Sequence, residues 1–124
     1  MNKYILFRNK GYAEALAKKT GADAKNGVRT DEDDLKRIIP MDNDILIIDA
    51  HYGEIMSDFY GLKIVADMQQ KYSDRNKKAK FIILSWYSIE RFEEPDLKYQ
   101  KEQLCLRYKV DFIQLPIVDF SLLS

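Results

Sequence analysis

Apolar residues in this chain fall into short uninterrupted runs separated by longer amphipathic stretches. Three runs are continuous rather than alternating and cover residues 3–7, 44–49 and 80–85. Continuous runs of this length are typical of strands buried on both faces, as in a parallel sheet covered by helices. A fourth run at residues 110–117 is less pure, and we expect Pro116 to end it because proline has no N–H for a ladder.

Two stretches in the first third of the chain have helical character. Residues 12–21 are rich in strong helix formers and end on Gly21, a common C-terminal stop. Residues 30–39 begin with Thr30, a capping residue, and continue with acids that favour a helix N-terminus. Both stretches are therefore predicted to be helices.

Two later stretches show a clearer apolar face. Residues 57–72 repeat apolar side chains at intervals of three or four, from Leu62 to Tyr72. Residues 95–109 start at Pro95, which suits the first turn of a helix. The polar, basic segment 72–80 between the third helix and the next apolar run is predicted to be a solvated loop.

The order of these elements predicts the architecture. With a weak additional strand at residues 23–28, the chain reads as strands and helices in alternation, which favours right-handed crossovers and a parallel sheet. We expect a single domain over residues 1–124 with a doubly wound five-stranded parallel sheet and a last helix that is short or missing. In such sheets the functional residues lie at the carboxyl ends of the strands.

Composition narrows the classes of function. The chain has 124 residues, with 20 basic and 20 acidic side chains and no net charge, so no global basic field exists to hold nucleic acid or an anionic membrane. No apolar stretch approaches the length of a membrane span. A single cysteine excludes an internal disulfide, and a cytoplasmic location is expected. Cys105 lies between leucines in a helical pattern and is predicted to be buried.

Polar residues stand at the predicted strand ends. Strand one ends in Arg8 and Asn9, strand three in Asp49 and strand four in Ser85, while Pro116 follows strand five. In its segments "DILIIDAHYG", "GLKIVADMQ", "FIILSWYS" and "VDFIQLPIVDFSLL", taken in this order and spacing, the chain resembles the response-regulator receiver family. The resemblance covers most of the chain from residue 44 onward and implies a flavodoxin-like, receiver-like (βα)5 fold.

The resemblance also assigns roles to two residues. Asp49 matches the phospho-accepting aspartate, and Ser85 matches the switch hydroxyl that hydrogen-bonds an attached phosphoryl group. Pro116 matches the proline that follows strand five in the family. Trp86 stands where a small residue usually leaves room for the phosphodonor.

Two departures from the family pattern bear on the chemistry. The family has an acidic pair after strand one that holds Mg²⁺, whereas this chain reads Phe7-Arg8-Asn9, and the family's lysine before the proline is Leu115 here. Phosphoryl transfer to a carboxylate brings anionic groups together, which a divalent ion on oxygen ligands neutralises. Arg8 repels such an ion, and the missing lysine removes a charge that balances a phosphoryl oxygen. The pattern therefore predicts a site without a metal.

Asp49 has two interpretations on the sequence alone. It is either a phospho-acceptor or an acid kept from an ancestral site, paired with Arg8 or capped by backbone amides, and the sequence favours the second. A salt bridge between Arg8 and Asp49 is expected. His51 is either a general base or a surface or hydrogen-bonding residue, and no nucleophile is tied to it by sequence. For Ser85, a polar strand terminus is at least as well supported as a switch.

The aromatic residues near strand four suggest a surface for partners. Trp86 and Tyr87 either form an exposed interface or, for Trp86, close the core. Together with Tyr108 and Pro116 they make up the predicted interaction face.

The leading hypothesis is thus a degenerate receiver-like module that is not an enzyme and needs no cofactor. It would act through a protein partner, a fused output domain or a homodimer, with no membrane or direct nucleic-acid binding. The alternative is an atypical phospho-accepting receiver that uses Asp49 and Mg²⁺.

Overall fold

Five parallel strands form the centre of the molecule. The computed structural model of the chain describes residues 2–23, 25–72, 79–117 and 119–123. The strands are β1 (Lys3–Leu6), β2 (Val28–Arg29), β3 (Ile45–Asp49), β4 (Lys80–Ser85) and β5 (Lys109–Gln114), and the order across the sheet is β2-β1-β3-β4-β5. Every neighbouring pair is parallel. This is the strand order of flavodoxin-like doubly wound folds, so the predicted architecture is confirmed.

Four α-helices and three short 3₁₀ turns flank the strands in the described part of the chain. The helices are α1 (Lys10–Thr20), α2 (Glu32–Lys36), α3 (Tyr60–Lys71) and α4 (Pro95–Leu104). The 3₁₀ turns cover Met56–Asp58, Ile89–Glu93 and Phe120–Leu123. Within the described residues, the last of these turns stands where a fifth helix would follow β5.

Some element bounds differ from the sequence prediction. The helix expected at residues 30–39 is one short turn, and Asp31 rather than Thr30 caps it by accepting the N–H of Asp33. The last helix ends at Leu104, several residues before the predicted end at 109. Cys105 therefore lies at the helix C-cap and is exposed, so the prediction of a buried thiol was wrong.

Two further sequence predictions concern a weak strand at residues 23–28 and a loop at residues 72–80. A second strand exists, but it covers Val28–Arg29 instead of residues 23–28. Contact with β1 begins only at Gly27, whose carbonyl accepts the N–H of Ile5. Most of the predicted solvated loop at 72–80, namely residues 73–78, lies outside the described part of the chain.

Two apolar layers cover the sheet, one on each face. The larger packs α2, α3 and α4 against one face of the strands, and the smaller packs α1 and the Phe120–Leu123 turn against the other. All five residues of β3 are buried, which explains why its sequence is an uninterrupted apolar run. The described part of the chain contains no helix with the length and apolarity to cross a membrane.

Candidate functional site

The carboxyl ends of β3 and β4 bring together three polar side chains. Asp49 is the last residue of β3 and pairs in register with Leu84, so Ser85 lies beside the first residue after β3. Asp49, His51 and Ser85 are all buried, with exposed fractions of 8%, 6% and 0%. We call these three residues the strand-end cluster.

The imidazole of His51 is held from both sides. Its Nδ1 lies 2.8 Å from the carbonyl of Met56, and its Nε2 lies 2.7 Å from the hydroxyl of Ser85. A carbonyl only accepts, so Nδ1 carries a proton, and in the neutral ring Nε2 accepts from the Ser85 hydroxyl. Ser85 Oγ also accepts the N–H of Tyr87 at 3.0 Å. Both atoms of the Ser85 hydroxyl are therefore engaged within the protein.

Asp49 lies beside this pair and is capped by the backbone. Its Oδ1 accepts the N–H of His51 at 2.8 Å. Burial raises the pKa of the Asp49 carboxyl and outweighs the opposing effects of that hydrogen bond and of the electrostatic interactions with His51 and Arg8. The expected backbone cap on Asp49 is present, while its role as a phospho-acceptor or as a retained acid stays a prediction.

Aromatic rings close the cluster toward the α3 side. The His51 ring lies 5.0 Å from Phe59 and 4.8 Å from Tyr87, measured between ring centroids. Phe59 in turn lies 5.5 Å from Phe92, a fully buried ring from the 3₁₀ turn at Ile89–Glu93. These rings exclude water from the hydroxyl of Ser85. A serine and a histidine at this distance have the spacing of a nucleophile and its base, but a fully buried hydroxyl does not reach a substrate.

Arg8 and Asn9 have other partners than the sequence predicted. Within the described residues no ion pair joins Arg8 to Asp49, so the expected salt bridge is not formed. The exposed Arg8 guanidinium instead lies over the ring of Tyr52, 5.7 Å from its centroid, and acts on Asp49 only through space. Asn9 caps α1, since its Oδ1 accepts the N–H of Tyr12.

Leu115 lies in the core, and the four residues of the predicted interaction face differ in their exposure. Leu115 is 3% exposed and belongs to the smaller apolar layer, and its peptide bond to Pro116 is cis. Trp86 is 46% exposed and touches Tyr12, so it does not close the core. Pro116 is exposed and Tyr87 half-buried, while Tyr108 is buried with its hydroxyl on the Tyr72 carbonyl. Tyr108 is therefore not available to a partner.

A crevice lies beside the cluster where the strand order reverses between β1 and β3. Its volume is about 330 Å³, and it is lined by Arg8 and Tyr52 together with acids from the loop after β3, among them Glu54 and Asp58. Open α/β sheets bind ligands at such switch points. In the described residues, no group of three or more His, Cys, Asp or Glu side chains is arranged to hold a metal ion.

The contact between His51 and Ser85 was missed by sequence reasoning. The two residues are 34 positions apart, and His51 was treated as a loop residue with no nucleophile tied to it. The available signal was the parallel order itself, because residues that follow neighbouring parallel strands meet at one edge of the sheet.

No protein-family model, curated protein or solved structure matches this chain.

Proposed function

We propose that the chain is a degenerate receiver-like signalling module that acts by binding protein, without phosphorylation of Asp49. The observation that carries the proposal is the hydrogen bond from the Ser85 hydroxyl to His51 Nε2 at 2.7 Å. A switch hydroxyl must turn toward a phosphoryl group on the neighbouring aspartate. In this protein it is fully buried and bound to an imidazole.

The metal side of the site supports the same proposal. Asn9 Oδ1, the only amide oxygen directly after β1, is used by the cap of α1. Arg8 places a cation at the same strand end, and within the described residues Asp49 belongs to no group of three or more His, Cys, Asp or Glu side chains that could hold a metal ion. A divalent ion bound at Asp49 would meet a nearby positive charge, which makes this a weak site for Mg²⁺.

The alternative, an atypical phospho-accepting receiver, requires these groups to release their present partners. Ser85 would have to leave both His51 and the N–H of Tyr87, and Asn9 would have to leave α1. Each lost hydrogen bond inside the protein costs on the order of 1 kcal/mol. A phosphodonor alone would have to offset all of them.

The test is incubation of the full chain with acetyl phosphate and Mg²⁺, followed by intact-mass measurement, with an active receiver domain as the positive control. We expect no mass gain of one phosphoryl group under conditions that label the control. The Asp49→Asn variant is the matched control for position. A stable gain on the wild type that is absent from D49N would show phosphorylation at Asp49 and overturn the proposal.

A further inference from the structure

Within the described residues, strand β5 has a row of unpaired backbone groups at the edge of the sheet. Leu115 donates its N–H to the Ser85 carbonyl at 2.7 Å, and in a parallel ladder alternate residues face the same neighbour. Val110, Phe112 and Gln114 therefore direct their N–H and C=O groups away from β4. Within the described residues no backbone hydrogen bond reaches these groups, and the Val110 carbonyl has only the Cys105 thiol, 4.0 Å away.

A groove follows this edge on both sides of the strand. Its volume is about 690 Å³, and half-buried Phe112 and Ile113 line its two sides. Leu122, from the 3₁₀ turn after β5, is 52% exposed and also lines it. Soluble proteins cover or charge an edge strand of this length, because its free backbone groups pair readily with another strand. The groove thus fits an added β-strand better than a compact ligand.

We propose that the added strand is β5 of a second copy of this chain, in antiparallel orientation about a two-fold axis at Phe112. The three outward residues are spaced symmetrically about Phe112. A register centred there pairs Phe112 with Phe112 of the second copy and Val110 with its Gln114, and each such pair exchanges two hydrogen bonds. It is the register that satisfies all three outward residues of both copies at once.

The charges at the two ends of the strand are complementary in this orientation. Arg107 and exposed Lys109 make the start of β5 basic, while exposed Asp119 lines the groove beyond its end. The two-fold axis brings the basic start of one strand to the acidic end of the other. A register shifted to centre on Asp111 would place that carboxylate opposite its own copy, which is unfavourable.

The dimer gives the proposed interaction module its partner and so rests on the proposed function. It joins two five-stranded sheets into one continuous sheet and covers Ile113 and Leu122 of both copies. The side chains of Asp49 and His51 take no part in it, because β3 lies two strands away from this edge.

The Gln114→Pro variant tests the backbone pairing directly. Proline at this position removes only the outward N–H, which has no partner within the described chain, and the β4–β5 ladder is kept. Gln114→Thr is the matched control, since it changes the side chain and keeps the N–H. Sedimentation equilibrium over a range of concentrations should show a monomer–dimer equilibrium for the wild type and Q114T, and monomer for Q114P. Circular dichroism spectra, and urea unfolding of protein dilute enough to be monomeric, should be alike for all three.

Hydrogen exchange provides a second measurement that needs no variant. Raising the concentration of the wild type should slow exchange of the Phe112 and Gln114 amides while leaving that of β1 amides unchanged. Three outcomes would overturn the inference. The wild type could stay monomeric, the Q114P variant could still form a dimer, or the Phe112 and Gln114 amides could stay unprotected in the dimer. If the wild type is monomeric and takes no phosphoryl group, only the dimer proposal fails. If it forms the dimer and is phosphorylated at Asp49, only the proposed function fails.

Discussion

At the scale of single residues, Asp49 is a carboxylate that the fold holds at an energetic cost. Its side chain is 8% exposed and one backbone N–H is its hydrogen-bond donor. Because burial raises its pKa, the folded state binds a proton at this position more tightly than the unfolded chain does. Stability contributed by Asp49 is thus present in acid and is lost as the pH rises through the raised folded-state pKa.

The Asp49→Asn variant should therefore be more stable than the wild type at neutral pH. Asparagine keeps an oxygen for the His51 N–H and removes the buried charge. The gain should shrink as the pH falls through the raised folded-state pKa of Asp49, and it should be gone below the ordinary range of an aspartate. Urea unfolding at neutral and acid pH measures both effects.

Asp67→Asn is the control with the opposite sign. Burial opposes ionisation of Asp67 too, but hydrogen bonds from Lys36 and Lys63 outweigh it and lower the pKa of its carboxyl. D67N should accordingly lose stability at neutral pH. If D49N is less stable than the wild type at neutral pH, Asp49 is not a destabilising buried charge.

The pair of His51 and Ser85 should show strong energetic coupling. Ser85→Ala removes the donor to His51 Nε2 and the acceptor of the Tyr87 N–H. His51→Phe removes one donor to the Met56 carbonyl and leaves the Ser85 O–H without an acceptor. Each change should lower the free energy of unfolding by about 1–3 kcal/mol. The double variant should lose less than the sum, because the second change removes a group that the first has already left unpaired.

Ser57→Ala, at an exposed serine of the turn after β3, is the control for this cycle. It should change the free energy of unfolding by less than about 0.5 kcal/mol, as surface substitutions usually do. Additive effects of S85A and H51F would contradict the coupling.

At the scale of elements, the connection from β3 to α3 is built by close backbone contact. Phe59 adopts a left-handed conformation, with φ 49° and ψ 45°, directly before α3. Such a backbone costs roughly 1 kcal/mol or more for a residue with a side chain, and here the 3% exposed Phe59 ring packs on His51 and Phe92. Gly61 follows and donates its N–H to the Ala50 carbonyl at 3.1 Å.

The Gly61→Ala variant should be severely destabilised or fail to fold. A Cβ at this position would lie 2.1 Å from the Asp49 carbonyl oxygen and 2.8 Å from Ala50 Cα, and neither backbone atom can move without shifting β3. Gly11→Ala in α1 is the matched control. Its Cβ would meet only the Asn9 side chain at 3.4 Å, and alanine favours a helix.

Urea unfolding monitored by circular dichroism compares the two glycine variants. G11A should retain the stability of the wild type or exceed it. Wild-type stability of G61A would show that α3 does not need this close approach to β3.

At the scale of the whole molecule, stability should be graded from the centre of the sheet to its edges. β3 is buried along its whole length, and β4 is buried from Phe81 to Ser85. β2 at one edge has two residues, and β5 at the other is only partly buried. Central strands of this kind open only with the whole domain, whereas edges open locally.

In dilute protein, amide hydrogen exchange measured by NMR should be slowest for β3 and β4. We expect Ile47 and Ile82 to be among the most protected amides, and those of Arg29 and Phe112 to exchange much faster. Protection of the β2 edge equal to that of β3 would contradict this gradient.

Much of the fold was predictable because its signals are local. Residues 44–49 and 80–85 form apolar runs that only a strand covered on both faces accommodates, and the structure places β3 and β4 there. Pro95 begins α4 and Gly21 caps α1, since both act through their own backbone dihedrals. The helix at 30–39 was overestimated, because acids after a cap indicate where a helix begins and not where it ends.

The candidate site was predictable in position but not in its contacts. The sequence by itself determined which residues follow the strands, because a parallel sheet places strand ends at one edge, and so Asp49 and Ser85 were expected to be neighbours. Only the tertiary structure decided that Ser85 binds His51, that Arg8 lies over Tyr52 and that Tyr108 is buried. These contacts join residues far apart in the chain and depend on side-chain directions that a linear pattern does not contain.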